Sequence, residues 1–437
     1  MTKHRKKIHC IGIGGIGVSA LAQYYLAMGH EVSGSDLAAS EITDFLKNLP
    51  AQAEKRIEIA IGHRAENIKP DIDLVVYSPA VPKDNPELLQ ATSYKIQVKS
   101  YPEALGELTK KYYTIAIAGA HGKSTTTAMI GLLLQGAGLN PTVIVGTKLK
   151  EFNNSNFKIG KLQYLVVEAC EYDGSFLNYE PKIIVATNVD KEHLDYFETF
   201  TNVIKTFKNF ILKLPVDGFL VANKDDKNLT KISKGKFKTK LYSLRQKEAG
   251  KIKKILKIPG EHNVSNALAA LTVARILKVP DKISFKALSE YTGSWRRFEI
   301  LKTKPYTLIS DYGHHPNEVS VTLKAAREKY KNKKLWCIFQ PHQYQRTHYL
   351  FKDFVKVFRQ APIDNIIITD IYDVAGRETK KISRGVDSEK LVKKINKDSV
   401  KYFSIKDAEK YVKKNLKNSD VLIIMGAGNI YKLVEKF

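Results

Sequence analysis

The stretch Tyr113–Thr126 constrains this chain more than any other. An apolar run ending in Ala116-Ile117-Ala118 feeds Gly119-Ala120-His121-Gly122-Lys123-Ser124, and Thr125 and Thr126 follow. A strand, a glycine turn and a helix start in that order make an anion site. Backbone amides converge in the turn, and the helix dipole adds partial positive charge. Lys123 supplies a full charge for β- and γ-phosphates, and the hydroxyl of Ser124 directly after it can ligate Mg²⁺. The spacing is Gly-x-x-Gly-Lys-Ser. The commoner phosphate loop places a glycine where Ile117 stands. A loop of this kind needs a parallel sheet behind it, so the fold class expected is α/β.

A second glycine turn opens the chain. Lys7–Ile11 reads as a strand; Gly12, Gly14 and Gly17 follow at Gly-x-Gly-x-x-Gly spacing; Val18–Met28 reads as a helix ended by Gly29. Glu31–Gly34 then forms the next strand, closing in Ser35-Asp36, and an acidic residue about 20 positions on completes a dinucleotide-type fingerprint. The pattern places a diphosphate on a helix N-terminus without saying which nucleotide carries it. Residues 71–80 read as a later parallel strand, which brings Ser78 to the same edge.

Further apolar runs end in polar clusters. Tyr164–Val167 leads into Glu168, Glu171 and Asp173; Ile183–Ala186 leads into Thr187-Asn188, Asp190, Glu192, His193 and Asp195. Carboxyl ends of parallel strands share one edge, so Glu168 and His193 are expected to face Ser124 across one Mg²⁺, although that ion prefers oxygen to imidazole. The Lys-rich stretch 223–257 reads as short strands or loop on a solvated face. Asn263 and Asn266 open an Ala/Leu helix, where they suit capping or an adenine edge. Arg296-Arg297 precede Phe298, as a surface pair or as a reach to a terminal phosphate. A third α/β layer starts near Leu301, with polar ends at Asp311–Pro316 and Gln340–Thr347.

Composition narrows the class. The chain of 437 residues carries a formal charge of +26. Its lysines are spread out and not interleaved with aromatic residues, so anionic small molecules are expected rather than nucleic acid. No apolar run reaches membrane-spanning length, and the basic residues Lys3–Lys7 precede a glycine turn rather than a signal core, so no membrane partner is expected. Three scattered cysteines point to a reducing, cytoplasmic setting.

A dehydrogenase needs only the first turn and a plain ATPase only the second. Both together suggest ATP-driven chemistry on a nucleotide-linked substrate. Phosphoryl transfer to a carboxylate, then attack by an amine, gives amide formation. A nicotinamide-dependent oxidoreductase leaves Gly119–Thr126 without a role; a nucleic-acid-binding ATPase rests on charge alone.

The motifs Gly12–Ser19 with Gly34-Ser35-Asp36, Gly119–Thr126, Glu168–Phe176, Thr187-Asn188 with His193-Leu194-Asp195, Gly260–Asn266, Arg296-Arg297-Phe298, Asp311–Pro316, Phe339–Thr347, Thr369–Tyr372 and Met425–Gly428 occur in one order over nearly the whole length. In this the chain resembles the Mur ligases, nearest the branch that joins L-alanine to UDP-N-acetylmuramate in peptidoglycan precursor synthesis. A different amine acceptor, such as a recycled tripeptide, is the nearest alternative. The resemblance implies three domains: a Rossmann-like UDP-sugar domain over 1–109, a central P-loop-type ATP and Mg²⁺ domain over 110–300, and a Rossmann-like domain over 301–437 that receives the amino acid and closes the site. A monomer or homodimer is expected.

By motif, Gly14, Gly15, Ile16, Gly17, Ser35, Asp36 and Ser78 would hold the UDP-sugar. Gly119, Ala120, His121, Gly122, Lys123, Ser124 and Thr125 would hold ATP phosphates, and Asn263, Asn266, Asp311 and Tyr312 the adenosine. Ser124, Glu168 and His193 would organise Mg²⁺. Arg297 would sit near the terminal phosphate, and His314 and Arg346 near the alanine and acyl phosphate. Three departures stand out: Cys170 where the family usually has Asp, Gln343 where it usually has Arg, and a shortened stretch between Asn223 and Pro259, which implies loss of part of the central domain's extra sheet.

Overall fold

The structure, a computed structural model, describes residues 5–49, 56–161, 163–373 and 385–437. Three sheets carry the described residues. The first, ordered β3-β2-β1-β4-β5, is parallel throughout: β1 (Lys7–Ile11), β2 (Glu31–Asp36), β3 (Glu58–Ile61), β4 (Leu74–Tyr77) and β5 (Gln97–Ser100). Strand order reverses between β1 and β4, so the glycine turn after β1 opens at the switch point where such sheets bind ligands.

The second sheet runs β12-β11-β10-β6-β9-β7-β8. Its strands are β6 (Tyr113–Ala118), β7 (Thr142–Leu149), β8 (Ser155–Lys158), β9 (Tyr164–Glu168), β10 (Ile183–Ala186), β11 (Phe219–Asn223) and β12 (Lys238–Tyr242). Only β7–β8 is antiparallel. The central strand β6 lies between β9 and β10, and Ile115 to Ala118 are fully buried. Continuous apolar runs of this kind belong to strands covered on both faces, each large side chain contributing about 1.5–3 kcal/mol. The register puts the phosphate loop, Glu168 and Thr187 at one edge.

The third sheet runs β13-β14-β18-β15-β16-β17, with β13 (Glu299–Lys302) antiparallel to β14 (Thr307–Asp311) and the others parallel: β15 (Leu335–Phe339), β16 (Asn365–Ile368), β17 (Val400–Tyr402) and β18 (Val421–Met425). This is the expected three-domain α/β architecture. The domains group into two compact units. Met1–Asp190, Ile204–Ser243 and Ala269–Ala287 hold the first two sheets; Lys191–Val203, Leu244–Leu268 and Leu288–Phe437 hold the third.

Within the first unit a buried amide network ties the two sheets together. Asn156 on β8 donates through Nδ2 to the Ile16 carbonyl and to Ser19 Oγ (2.9 Å), while its Oδ1 accepts from Gln23 Nε2 at 2.8 Å. Gln23 Oε1 in turn accepts from Ser155 Oγ at 2.8 Å. The helix that follows the glycine turn, Ile16–Ala27, is thus fastened to the hairpin β7–β8 by satisfied buried polar groups.

The stretch 223–257 differs from its expected form. Helices Lys227–Ile232 and Glu248–Ile255 flank an exposed strand, β12. Asp226 caps the first helix by accepting from the amides of Asn228 and Leu229, a signal masked by the surrounding lysines. Among the described residues no helix is long and apolar enough to cross a membrane.

Candidate active site

The phosphate loop leaves β6 through Gly119 (φ +148°) and enters the helix Lys123–Gly136 through Gly122 (φ +83°). A Cβ at Gly119 would lie 1.9 Å from Thr187 Oγ1, so only glycine fits. Thr187 and Asn188, at the end of β10, clamp the loop. Thr187 Oγ1 and Asn188 Nδ2 donate to the His121 carbonyl at 2.7 and 2.9 Å. Asn188 Oδ1 accepts the His121 amide at 2.8 Å, and the Asn188 carbonyl accepts the Ala120 amide at 3.1 Å. The His121 ring meets Asp190 at 3.0 Å.

Lys123 folds back over this loop. Its Nζ donates to the carbonyls of Gly119 (2.5 Å) and Ala120 (3.1 Å) and to Glu171 Oε1 (3.2 Å), with Glu171 Oε2 3.0 Å away. Burial alone would discharge it, but the carboxylates of Glu171 and Glu168 outweigh that and raise its pKa. Ser124 and Thr125 are buried in the first turn of the helix. Glu168 ends β9, and its Oε2 accepts the Gly146 amide at 2.8 Å. Burial pushes the Cys170 thiol up to about 12, so this position is a neutral thiol where a carboxylate was expected from relatives. His193 belongs to the second unit, where it precedes the short helix Leu194–Phe197 with φ +54° and its carbonyl accepts from Tyr196 and Phe197.

The first glycine turn is built from backbone bonds and one carboxylate. The Ser35 carbonyl accepts the amides of Gly12 (2.8 Å) and Ile13 (3.0 Å), Asp36 Oδ2 accepts that of Gly14 (2.8 Å), and Gly15 donates to the Gly12 carbonyl (3.0 Å). These amides are spent on the turn. The first helical amides, of Ile16, Gly17 and Val18, come before the first intrahelical bond, from Ser19 to Gly15; they are the donors a helix N-terminus offers. Asp36 therefore shapes the turn. Ser78 packs its Cβ 3.0 Å from where a Gly12 side chain would start. Gly17 lies under the ring of Tyr101, 2.7 Å from a would-be Cβ.

In the second unit the two adjacent arginines part ways. Arg296 is 5% exposed, not a surface residue. Its guanidinium donates to the carbonyls of Gly426 and Gly428 and lies 4.4, 4.9 and 5.4 Å from the rings of Tyr431, Tyr312 and Trp295. Arg297 stays partly exposed, 3.6 Å from Glu318 and 4.9 Å from the Tyr312 ring. Asp311 is buried, and burial raises its pKa; its carboxylate accepts the amides of Phe298 and Gly313, both at 2.8 Å. Asn263 and Asn266 are buried, and Asn263 donates to the Pro259 carbonyl at 2.6 Å, a helix-start bond.

His314 and Arg346 come together through His342. The His314 and His342 rings are 5.6 Å apart, Arg346 donates to His342 Nδ1 at 3.1 Å, and His342 stacks on Tyr372 at 5.5 Å. Arg346 also meets Glu192 at 3.5 Å. Burial pushes His314 down to about 4, so it is neutral near pH 7. Gln343 is buried with φ +69°; its amide donates to the Tyr372 carbonyl at 2.9 Å. Glu318 was not singled out from sequence. Glu192 stood in the polar cluster after β10, His342 in the Phe339–Thr347 motif and Tyr372 in the Thr369–Tyr372 motif, each without an assigned role.

Family models match in sequence order: "Mur ligase family, catalytic domain" over 7–113, "Mur ligase middle domain" over 117–274 and "Mur ligase, glutamate ligase domain" over 296–428. The UDP-N-acetylmuramate–L-alanine ligase of Clostridium tetani is 39% identical over 460 residues, covering 100% of this chain and 98% of the relative. That of Aquifex aeolicus is 42% identical, covering 99% and 97%. The solved UDP-N-acetylmuramate-alanine ligase of Thermotoga maritima superposes with a TM-score of 0.79 at 26% identity, over 99% of this chain and 98% of that one. A murein peptide ligase from Psychrobacter arcticus shares the fold at TM-score 0.71 and 23% identity, over 99% and 98%. With its three domains matched in order and relatives of this identity along its whole length, the chain belongs to the Mur ligase family.

Proposed function

We propose that the protein is an ATP-dependent amide ligase that joins L-alanine to the carboxylate of UDP-N-acetylmuramate, releasing ADP and phosphate, in peptidoglycan precursor synthesis. One observation carries this reading: a single compact unit holds a glycine turn that opens on helical amides without a basic side chain in its motif and a loop bearing Lys123 and Ser124. The first suits the diphosphate of a nucleotide sugar, the second a triphosphate. Full-length similarity to enzymes named for L-alanine supports the choice of amine. Domains bounded near 109 and 300, cytoplasmic location and a monomer or homodimer complete the proposal.

In this reading the first helical amides at Ile16 and Gly17 hold the UDP diphosphate, with Ser35, Asp36 and Ser78 shaping the turn. The loop Gly119–Thr125 cradles ATP, and Lys123 leaves Glu171 for the γ-phosphate. A carboxylate oxygen of the sugar attacks that phosphorus, the bond to the ADP oxygen breaks, and an acyl phosphate forms. The alanine amine then attacks the carbonyl carbon, inorganic phosphate leaves, and the amine's extra proton passes to solvent. Arg297 offsets charge on the terminal phosphate. Arg346, held by His342 and Glu192, receives the amino-acid carboxylate, and neutral His314 orients the amine. Asn263, Asn266, Asp311 and Tyr312 frame the adenosine. Ser124 and Glu168, an oxygen donor set at one sheet edge, fit a hard cation such as Mg²⁺, with His193 as a further ligand; when bound, the ion neutralises phosphate charge.

The test is ADP release over a matrix of amino acids, and the tripeptide, against UDP-N-acetylmuramate. Release only with alanine and the sugar nucleotide together is expected. ATP turnover indifferent to the sugar nucleotide would sink the proposal.

A further inference from the structure

The N-terminal turn rests on a carboxylate that no motif marks. Glu87, in the first turn of the helix Pro86–Ser93, is fully buried. Asn85 caps that helix, accepting from the amides of Glu87 and Leu88 at 2.9 and 3.3 Å. Three donors from two other segments converge on the carboxylate. Ser35 Oγ donates to Oε2 at 2.5 Å, His63 Nδ1 lies 3.1 Å from the same oxygen, and Asn67 Nδ2 donates to Oε1 at 2.5 Å. Asn67 also donates to the Gly62 carbonyl at 3.0 Å, which fixes the loop after β3. His9 lies beneath, its Nε2 buried without a hydrogen-bond partner and 4.0 Å from Glu87 Oε2.

A buried carboxylate is costly unless its oxygens are filled. An apolar side chain would fill the space, so its presence needs a reason. The connection through Ser35 supplies one. Ser35 is the residue whose carbonyl gathers the amides of Gly12 and Ile13, and its neighbour Asp36 takes that of Gly14. Glu87 grips the side chain of the residue whose backbone sets the turn. The same carboxylate holds the loop carrying His63, whose side chain keeps a tenth of its surface exposed.

We propose that Glu87 is a positioning residue for nucleotide-sugar binding: it holds Ser35, and through it the Gly12–Gly17 turn, together with the His63 loop, in the geometry that receives the diphosphate. It also fixes the His63 ring, whose Nδ1 faces both Glu87 Oε2 and Ser35 Oγ at 3.1 Å and carries a proton toward the carboxylate. The proposal rests on the assignment of the first domain to the UDP-sugar.

Calorimetry with UDP-N-acetylmuramate in the absence of ATP tests both, using the full chain. The wild type binds. In Glu87→Ala the dissociation constant rises about tenfold or more, as expected for stranded charge-assisted donors, while kcat at saturating substrate and KM for ATP stay within about twofold. Glu87→Gln, which keeps the shape and one acceptor, recovers part of the loss; it also serves if the alanine variant does not fold. Nitrogen-15 correlation spectra show His63 protonated on Nδ1 in the wild type and redistributed in the glutamine variant. A wild type that binds, with a glutamine variant that binds equally and an unchanged His63 signature, overturns the positioning role alone. A wild type that does not bind removes the domain assignment, and this inference with it.

Discussion

The two glycine turns sit in one unit and are built in different ways. After β1, the glycine turn spends its own amides on Ser35, Asp36 and Gly12, so its shape is fixed by short bonds and the first helical amides are what it has left to offer. After β6, the loop is held from outside, by Thr187 and Asn188 at the end of β10, and its charge is a lysine side chain, Lys123, paired with Glu171. The first design suits a diphosphate that is placed and left unchanged while chemistry happens elsewhere on its substrate. The second suits a phosphate whose bond is broken, because a side-chain cation can exchange its partner for the phosphate. Specific recognition needs rigidity, and phosphoryl transfer needs a cation that can follow the phosphate.

Substitutions can break this comparison, starting with the largest effect. Lys123→Ala should lower kcat by about 10²–10³-fold, the usual cost of losing a transition-state donor, with sugar-nucleotide binding intact by calorimetry. Gly119→Ala and Gly17→Ala should separate the two sites. A Cβ at the first collides with Thr187, and one at the second collides with Tyr101. Steady-state kinetics should show the first raising KM for ATP and the second raising KM for the sugar nucleotide, each about tenfold or more; both moving the same constant would erase the distinction. Gln343→Arg should lower KM for alanine about three- to tenfold by restoring a second cation beside Arg346.

Acidity acts on both units. Burial pushes His9, His262 and His314 down to about 4, below the ordinary value for an unfolded chain. The unfolded state then binds more protons between pH 6.5 and 4, so the stability from burying neutral rings is intact above 6.5 and is lost as pH falls. The slope is at most about 1.4 kcal/mol per pH unit for each ring. Thermal melts should fall steadily from pH 7 to pH 5; a flat profile would show the rings solvated.

Much of this was legible. The strands Lys7–Ile11, Tyr113–Ala118, Ile183–Ala186, Leu335–Phe339 and Val421–Met425 were readable as buried apolar runs, and they fall where expected. A parallel strand covered on both faces leaves few other readings. The hairpin β7–β8 was missed. Its residues mix polar and apolar types, and its partners, Gln23 and Ser19, lie more than 130 positions away. Arg296 and Arg297 show the same limit: adjacent and identical in type, they are told apart only by Tyr312, Tyr431 and the Gly426 carbonyl, which sequence does not place beside them. The role of Glu87 was invisible because the groups that fill its carboxylate, Ser35, His63 and Asn67, lie 52, 24 and 20 positions away.

The Lys123–Glu171 pair bears on how such an enzyme lives with its own product. A bare lysine in a phosphate cradle would attract any small anion. Here the cradle neutralises itself. Orthophosphate could claim Lys123 only by stranding Glu171, a carboxylate that is 1% exposed, and one small ion brings little to offset that loss. A triphosphate brings many contacts at once. An ion pair of this kind would filter ligands by charge and reach, and phosphate released at each turnover is then expected to bind the nucleotide cradle weakly. Glu171→Gln should remove the filter and strengthen inhibition by phosphate or sulfate by about two- to fivefold. Equal inhibition in both proteins would refute it.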